Sequence, residues 1–150
     1  MDYGLYNANE IISSKLRQCG ISTITFGAPD ELDNNKNTIM PLAHMVLDGS
    51  LMRDTTQLYN YRIAVVDLVD SNDISPRTVF NTLTLSGNKE DIFHDLAERI
   101  NKFKSLIRQD LDIIESTDEI NLDTISDQGQ NALLGYEFTF SITVESAGIC

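Results

Sequence analysis

The chain has no tryptophan, only three prolines and two cysteines, and its eleven Lys and Arg are outnumbered by 23 Asp and Glu. Cys19 and Cys150 are too few for a disulfide framework, and their separation fits no CxxC metal pattern. They read as two unpaired thiols of a reducing compartment. The shortage of cations leaves a net charge of −12. Binding a phosphate backbone takes clustered Lys and Arg that displace counterions. Lys102 and Lys104 are the densest basic spacing, and Glu98 and Asp110 dilute them, so direct reading of a nucleic acid sequence is not expected. No apolar run approaches the roughly 20 residues of a membrane-spanning helix, and no membrane partner is expected. The opening MDYGLYNANE holds an acid and no basic segment, which does not read as a secretory signal.

Catalytic signatures are missing too. There is no HExxH, P-loop, GxGxxG or GxSxG. His44 and His94 are the only histidines, and a spatial pairing of either with Cys19 is the one nucleophile arrangement left open. Cys19 falls on an apolar helical stripe and His94 on the wet side of another helix, which favours structural roles for both. Asp67, Asp70 and Asp73 recur every three residues, but they leave a strand for a loop, where solvated carboxylates are the ordinary outcome. Asp33, Asn35 and Asn37 imitate the start of a calcium-binding EF loop. Thr38 stands where its glycine belongs and His44 where its last Glu belongs, so the match fails. No cofactor and no metal is expected, and the chain does not read as an enzyme.

What is present is ordinary for a folded domain: 150 residues, 41% hydrophobic, enough for one sizeable core. Leu5, Ala8, Ile12, Leu16 and Cys19 recur at spacings of three and four, with Asn9, Ser13 and Arg17 opposite, which predicts an amphipathic helix. Gly20 stands where a left-handed C-cap is common. Residues 21–26 predict a short strand, a long polar loop follows from Gly27 to Pro41, and 42–47 predict a second strand. Asp48-Gly49-Ser50 is a turn candidate, and 51–58 either extends that hairpin or lies in a connection. Residues 59–69 form the strongest strand pattern, with Tyr59, Tyr61, Ile63, Val65, Asp67 and Val69 on one side. The other side turns from polar to apolar, as in a central strand partly covered on both faces.

Residues 78–85 fit helix or strand. Residues 89–109 predict a second helix, with Ile92, Phe93, Leu96, Ile100, Phe103 and Ile107 on one stripe and Asn88 or Ser86 as N-cap. Residues 113–122 contain a further strand. Gly135 introduces a last one, 136–145, in which Tyr136, Phe138, Phe140, Ile142 and Val144 alternate with polar residues. Two helices on one face of a mainly antiparallel sheet of about five strands hide every apolar face, so the predicted fold is single-domain α+β.

The segment FGAPDELDNNKNTIMPLAHM, followed by a strand ending Asp67-Leu68-Val69-Asp70, resembles small structural proteins of tailed bacteriophages infecting Bacteroidetes, the crAss-like phages among them. Phe26, Gly27, Glu31, Leu32, Asp33, Lys36, Thr38, Pro41, Leu42 and His44 carry the resemblance, and Met40 replaces a more usual aromatic. The resemblance covers roughly residues 1–110. It implies a tail-terminator or tail-completion protein: a helix, a sheet and a second helix, with subunits closing into a six- or twelvefold ring at the neck or tail.

On that reading the chain is a virion component, assembled in the bacterial host cytoplasm and flanked by portal, neck or tail proteins, with genome DNA passing through the lumen. Its candidate assembly residues are Glu31, Asp33 and Lys36 in the loop and Asp48, Arg53 and Asp54 at the next turn, while Phe26 and Leu42 pin the loop ends to the core. The alternative is an acidic intracellular adaptor or inhibitor that mimics nucleic acid. A small hydrolase built on Cys19 and a histidine is a third reading.

Overall fold

The structure, a computed structural model, describes residues 4–27, 40–68, 89–126 and 133–145. Helix α1 spans Gly4–Gln18 and α2 spans Lys89–Arg108; the strands are β1 (Thr23–Phe26), β2 (Leu42–Met52), β3 (Thr56–Leu68), β4 (Ile113–Ser116), β5 (Asp123–Ser126) and β6 (Leu133–Glu145). They form one six-stranded sheet in the order β1-β2-β3-β6-β4, with β5 also paired to β6. Every pairing is antiparallel except β1 with β2. The fold is α+β.

Both helices lie on one face. Ala8, Ile12 and Leu16 of α1 and Leu96, Ile100 and Phe103 of α2 share one core with Tyr61, Ile63 and Val65 of β3 and Phe138, Phe140 and Ile142 of β6. Phe103 sits at its centre, its ring 5.2 Å from Phe140 and 6.4 Å from Phe138 in tilted arrangements, the geometry that aligns a ring edge with its neighbour's face. The apolar stripes predicted for both helices are the ones buried. Asn9 is the exception on α1: half-buried, it accepts a hydrogen bond from the Tyr61 hydroxyl at 2.5 Å. A phenol this deep in the core needs an acceptor, so one polar residue of the helix turns inward.

Gly20 has φ 89°, and the backbone amide of Ile21 bonds the carbonyl of Leu16, closing α1 in the predicted left-handed cap. Gly135 lies inside β6 and not ahead of it, paired with Val66; a Cβ there would stand 1.9 Å from the Val65 carbonyl oxygen. The glycine is a point of close strand approach, which is why a turn residue type occurs within a strand.

Other expectations are corrected. Asp48-Gly49-Ser50 is no turn: β2 runs through it with a bulge between Leu47 and Gly49, and the chain reverses at residues 53–55. A bulge absorbs one extra residue without ending the strand, and residues 51–58 therefore extend the hairpin. Phe26 is not pinned in the core; it is 50% exposed, while Leu42 is buried. The segment 113–122 holds only the short β4, and β5, an unpredicted strand, follows it. Residues 78–85, Asn88 and Ser86 lie outside the described residues.

Candidate functional site

The alternation of each strand decides what the second face of the sheet carries. Tyr61, Ile63, Phe138 and Phe140 point to the helices, so their neighbours Arg62, Ala64, Glu137 and Thr139 point away. Among the described residues no helix lies on that second face. Towards one end it is apolar, with Leu42, Val66 and Leu133 buried together and Met40 and Ile125 packed against them. His44, on the same face, is buried and its Nδ1 lies 2.6 Å from the Thr25 hydroxyl of β1.

Elsewhere the second face is acidic. Register places Asp123 beside Glu137, Glu145 beside Thr56, and Glu115 beside Thr143 on this side. Arg62 is the cation that answers them: its Nη2 lies 3.3 Å from Asp48 and its Nε 3.5 Å from Glu137. All three side chains remain about a third exposed, so the triad fixes geometry across three strands and adds little stability.

The predicted assembly residues are not gathered in one place. Glu31, Asp33 and Lys36 lie outside the described residues. Asp48 belongs to the Arg62 triad on the second face, whereas Arg53 and Asp54 stand exposed at the reversal between β2 and β3. Sequence reasoning missed Arg62 as the partner of Asp48, and Glu137 as the second carboxylate on that guanidinium. The signal was present in the alternation of residues 59–69, which sets Arg62 opposite the apolar side, but the expected turn at Asp48 hid its strand register.

The sheet also ends in apolar edges. β1 covers only the first part of β2, its last pair being Phe26 with Met45. Beyond it the outer edge of β2 is unpaired among the described residues and ends in half-exposed Leu51 and in Met52, which is 77% exposed. At the opposite edge β4 carries half-exposed Ile114, and Leu111 just before it is 99% exposed.

Among the described residues, Cys19, His44 and His94 are not brought together. Burial pushes the Cys19 thiol up to about 11, against the smaller downward pull of Lys102 and Arg99, which leaves almost no thiolate at neutral pH. Cys19 belongs to the helix-side core and His44 to the other face, so the sheet lies between them. His94 is exposed on α2, its Nε2 3.2 Å from Glu98. No group of three or more His, Cys, Asp or Glu is placed to hold a metal ion among the described residues, and no helix there is long and apolar enough to cross a membrane.

Two concavities lie elsewhere: an open groove of about 420 Å³ along Glu10, Ser14 and Arg17 of α1, and one of about 140 Å³ between α2 and Ile120 and Leu122. Neither touches a predicted site residue. No protein-family model matches the chain, and no curated protein matches it either.

Proposed function

We propose that the protein is a structural subunit of a ring in the neck or tail of a tailed bacteriophage virion, acting by assembly and joining head to tail components around the DNA channel. The observation that carries this reading is the acidic second face of the sheet, where, among the described residues, Asp48, Glu115, Asp123, Glu137 and Glu145 face a single cation, Arg62. Repeated around a ring, that face makes a negative wall, and a negative wall repels the phosphate backbone of passing DNA. The helices then form the outer layer, where their wet sides meet neighbouring virion proteins. The wording of residues 26–45 supports the same class.

Immunogold electron microscopy of purified virions, with antibody raised against this chain, tests the proposal. Label at the head–tail junction or along the tail supports it. Absence of label in particles whose other tail proteins stain normally refutes it. The reading then passes to an acidic adaptor whose binding to a basic partner weakens steeply with salt.

A further inference from the structure

We infer that the free chain pairs with a second copy of itself through the outer edge of β2, residues 50–52 of the two copies lying antiparallel across a twofold axis. The inference goes beyond the ring reading and does not rest on it. The bonding pattern of the sheet fixes what this edge offers. The carbonyls of Pro41 and Met45 bond β1, so in the first part of β2 the odd residues turn their backbone outward. The bulge between Leu47 and Gly49 reverses that parity. Arg53 donates its amide to Thr56 of β3, so beyond the bulge Gly49, Leu51 and Arg53 face β3 while Ser50 and Met52 face outward. Ser50, Leu51 and Met52 are exposed, and no strand pairs with their outer side among the described residues. An unpaired edge is a template for a second strand unless charges or proline blunt it, and this stretch has neither.

Antiparallel pairing sets outward residues against outward residues, each such pair exchanging both backbone bonds. Placing Leu51 on the axis meets this condition: Ser50 opposes Met52 of the second copy, and Met52 opposes its Ser50. Moving the axis to Ser50 would set Met52 against Asp48 in the bulge, and moving it to Met52 would set Ser50 against Asp54 in the reversal. The register also leaves room for the rest of the sheet. β1 covers only Leu42–Met45 of this edge, and the second copy's β2 runs the other way, past the reversal at residues 53–55. Its own β1, beside its Leu42–Met45, lies beyond that reversal too. The axis stands perpendicular to the sheet, so the helices of both copies share one side. No helix covers the edge there, since Met52 lies on the helix side, in register with Gln57, and is open to solvent.

The side chains are self-complementary in this register. Leu51 meets Leu51 of the second copy in a non-hydrogen-bonded pair, the kind that brings side chains closest. Arg53 opposes Gly49, where nothing lies within 4 Å of the place a Cβ would take. Beside Gly49 stands Asp48, whose bond to Arg62 uses Oδ1 on the second face. Arg53 is exposed and has no ion-pair partner among the described residues. Each copy's Arg53 thus reaches the other's Asp48, twice by symmetry. The contact is isologous and closes at two copies, which covers the apolar edge without leaving a new one to grow from.

Leu51→Cys in a Cys150→Ser background tests the register. Thiols on the axis stand within disulfide reach, so mild oxidation is expected to give a covalent dimer, and to give it far more slowly for Arg53→Cys, which opposes Gly49. Sedimentation velocity of the purified full chain across a concentration series reads the dimerisation midpoint. Met52→Pro removes an outward amide that the sheet does not use, and Arg53→Glu sets like charges beside Asp48. Each is expected to raise the midpoint about tenfold or more. Thermal melts matching the wild type assign the effect to the interface; where M52P melts lower, R53E decides alone. A wild-type chain that stays monomeric throughout, equal cross-linking of the two cysteine variants, or a midpoint unmoved by R53E overturns the pairing. Virion labelling is scored separately: label at the neck or tail with a monomeric free chain leaves the ring reading standing and removes only this interface.

Discussion

Arg99 of α2 donates from Nη1 to the carbonyl oxygen of Cys19 at 2.9 Å, and its guanidinium passes directly over Gly20. The same side chain is anchored from Nε to Asp95 at 2.8 Å. The C-cap of α1 is thus bonded by a residue of the other helix, which ties the two helices into one layer. A Cβ on Gly20 would lie 1.9 Å from that Nη1, in a backbone conformation of φ 89° that side chains rarely adopt. Gly20→Ala is therefore expected to destabilise the fold by about 1–2 kcal/mol. A chemical denaturation midpoint equal to that of the wild type contradicts this.

Gly135→Ala is expected to cost more, about 3 kcal/mol or above, because the obstacle is backbone and not a movable side chain. Its Cβ would meet the Val65 carbonyl oxygen, the Val66 Cα and the Val65 carbonyl carbon, all within 2.9 Å. β3 and β6 make the longest ladder in the sheet, thirteen pairs, and Gly135 sits near one end of it. Thermal unfolding checks the order: G135A melts below G20A. The reverse order contradicts the close approach.

Asp67 predicts a pH dependence. Burial holds its carboxyl above the ordinary value of 3.8; the Leu68 amide pulls it down, Asp95 pushes it up and Arg99 pulls it down, each by less. Below 3.8 the group is protonated in both folded and unfolded chains and contributes nothing. Between that value and the raised folded one the folded state holds the extra proton, so stability falls as pH rises through the window. Asp67→Asn removes this loss. The melting temperature of D67N relative to wild type is expected to climb from weakly acidic to neutral pH and then level off. A difference that does not change with pH contradicts the assignment.

The channel reading makes its own prediction. Glu115, Asp123 and Glu145 lie on the acidic face without an ion-pair partner among the described residues, so replacing all three by Lys leaves the Arg62 triad intact. Virions carrying E115K/D123K/E145K are expected to eject DNA on the order of tenfold more slowly at low salt, with the difference shrinking as salt rises. Unchanged ejection in correctly assembled virions counts against a lumen lined by this face.

Much of the fold was legible because the signals were periodic. The stripes of α1 and α2 and the alternation of 136–145 each follow from one buried face repeating at a fixed interval, and each element formed where its period placed it. What was illegible depended on contacts distant in sequence. Asp48-Gly49-Ser50 carries every local mark of a turn, and its place in the ladder with β3, across the bulge, is what makes it strand. Phe26 has the composition of a core anchor, but it ends an edge strand with no outer neighbour among the described residues. β5 holds only four residues, three of them polar, and takes its place from pairing with β6. The candidate site was harder still. Asp48, Arg53 and Asp54 were singled out as one turn, whereas the sheet separates an acidic face from a hairpin tip and its apolar edge.

A cryo-electron microscopy reconstruction of the virion neck and upper tail, carried to a resolution that separates strands from helices, tests the central claim most directly. The account predicts a closed ring of six or twelve copies of this chain, helices outward, with Glu137 and the Arg62 triad facing the lumen. A ring with α1 and α2 lining the channel, or a neck and tail in which no density fits the chain, contradicts it.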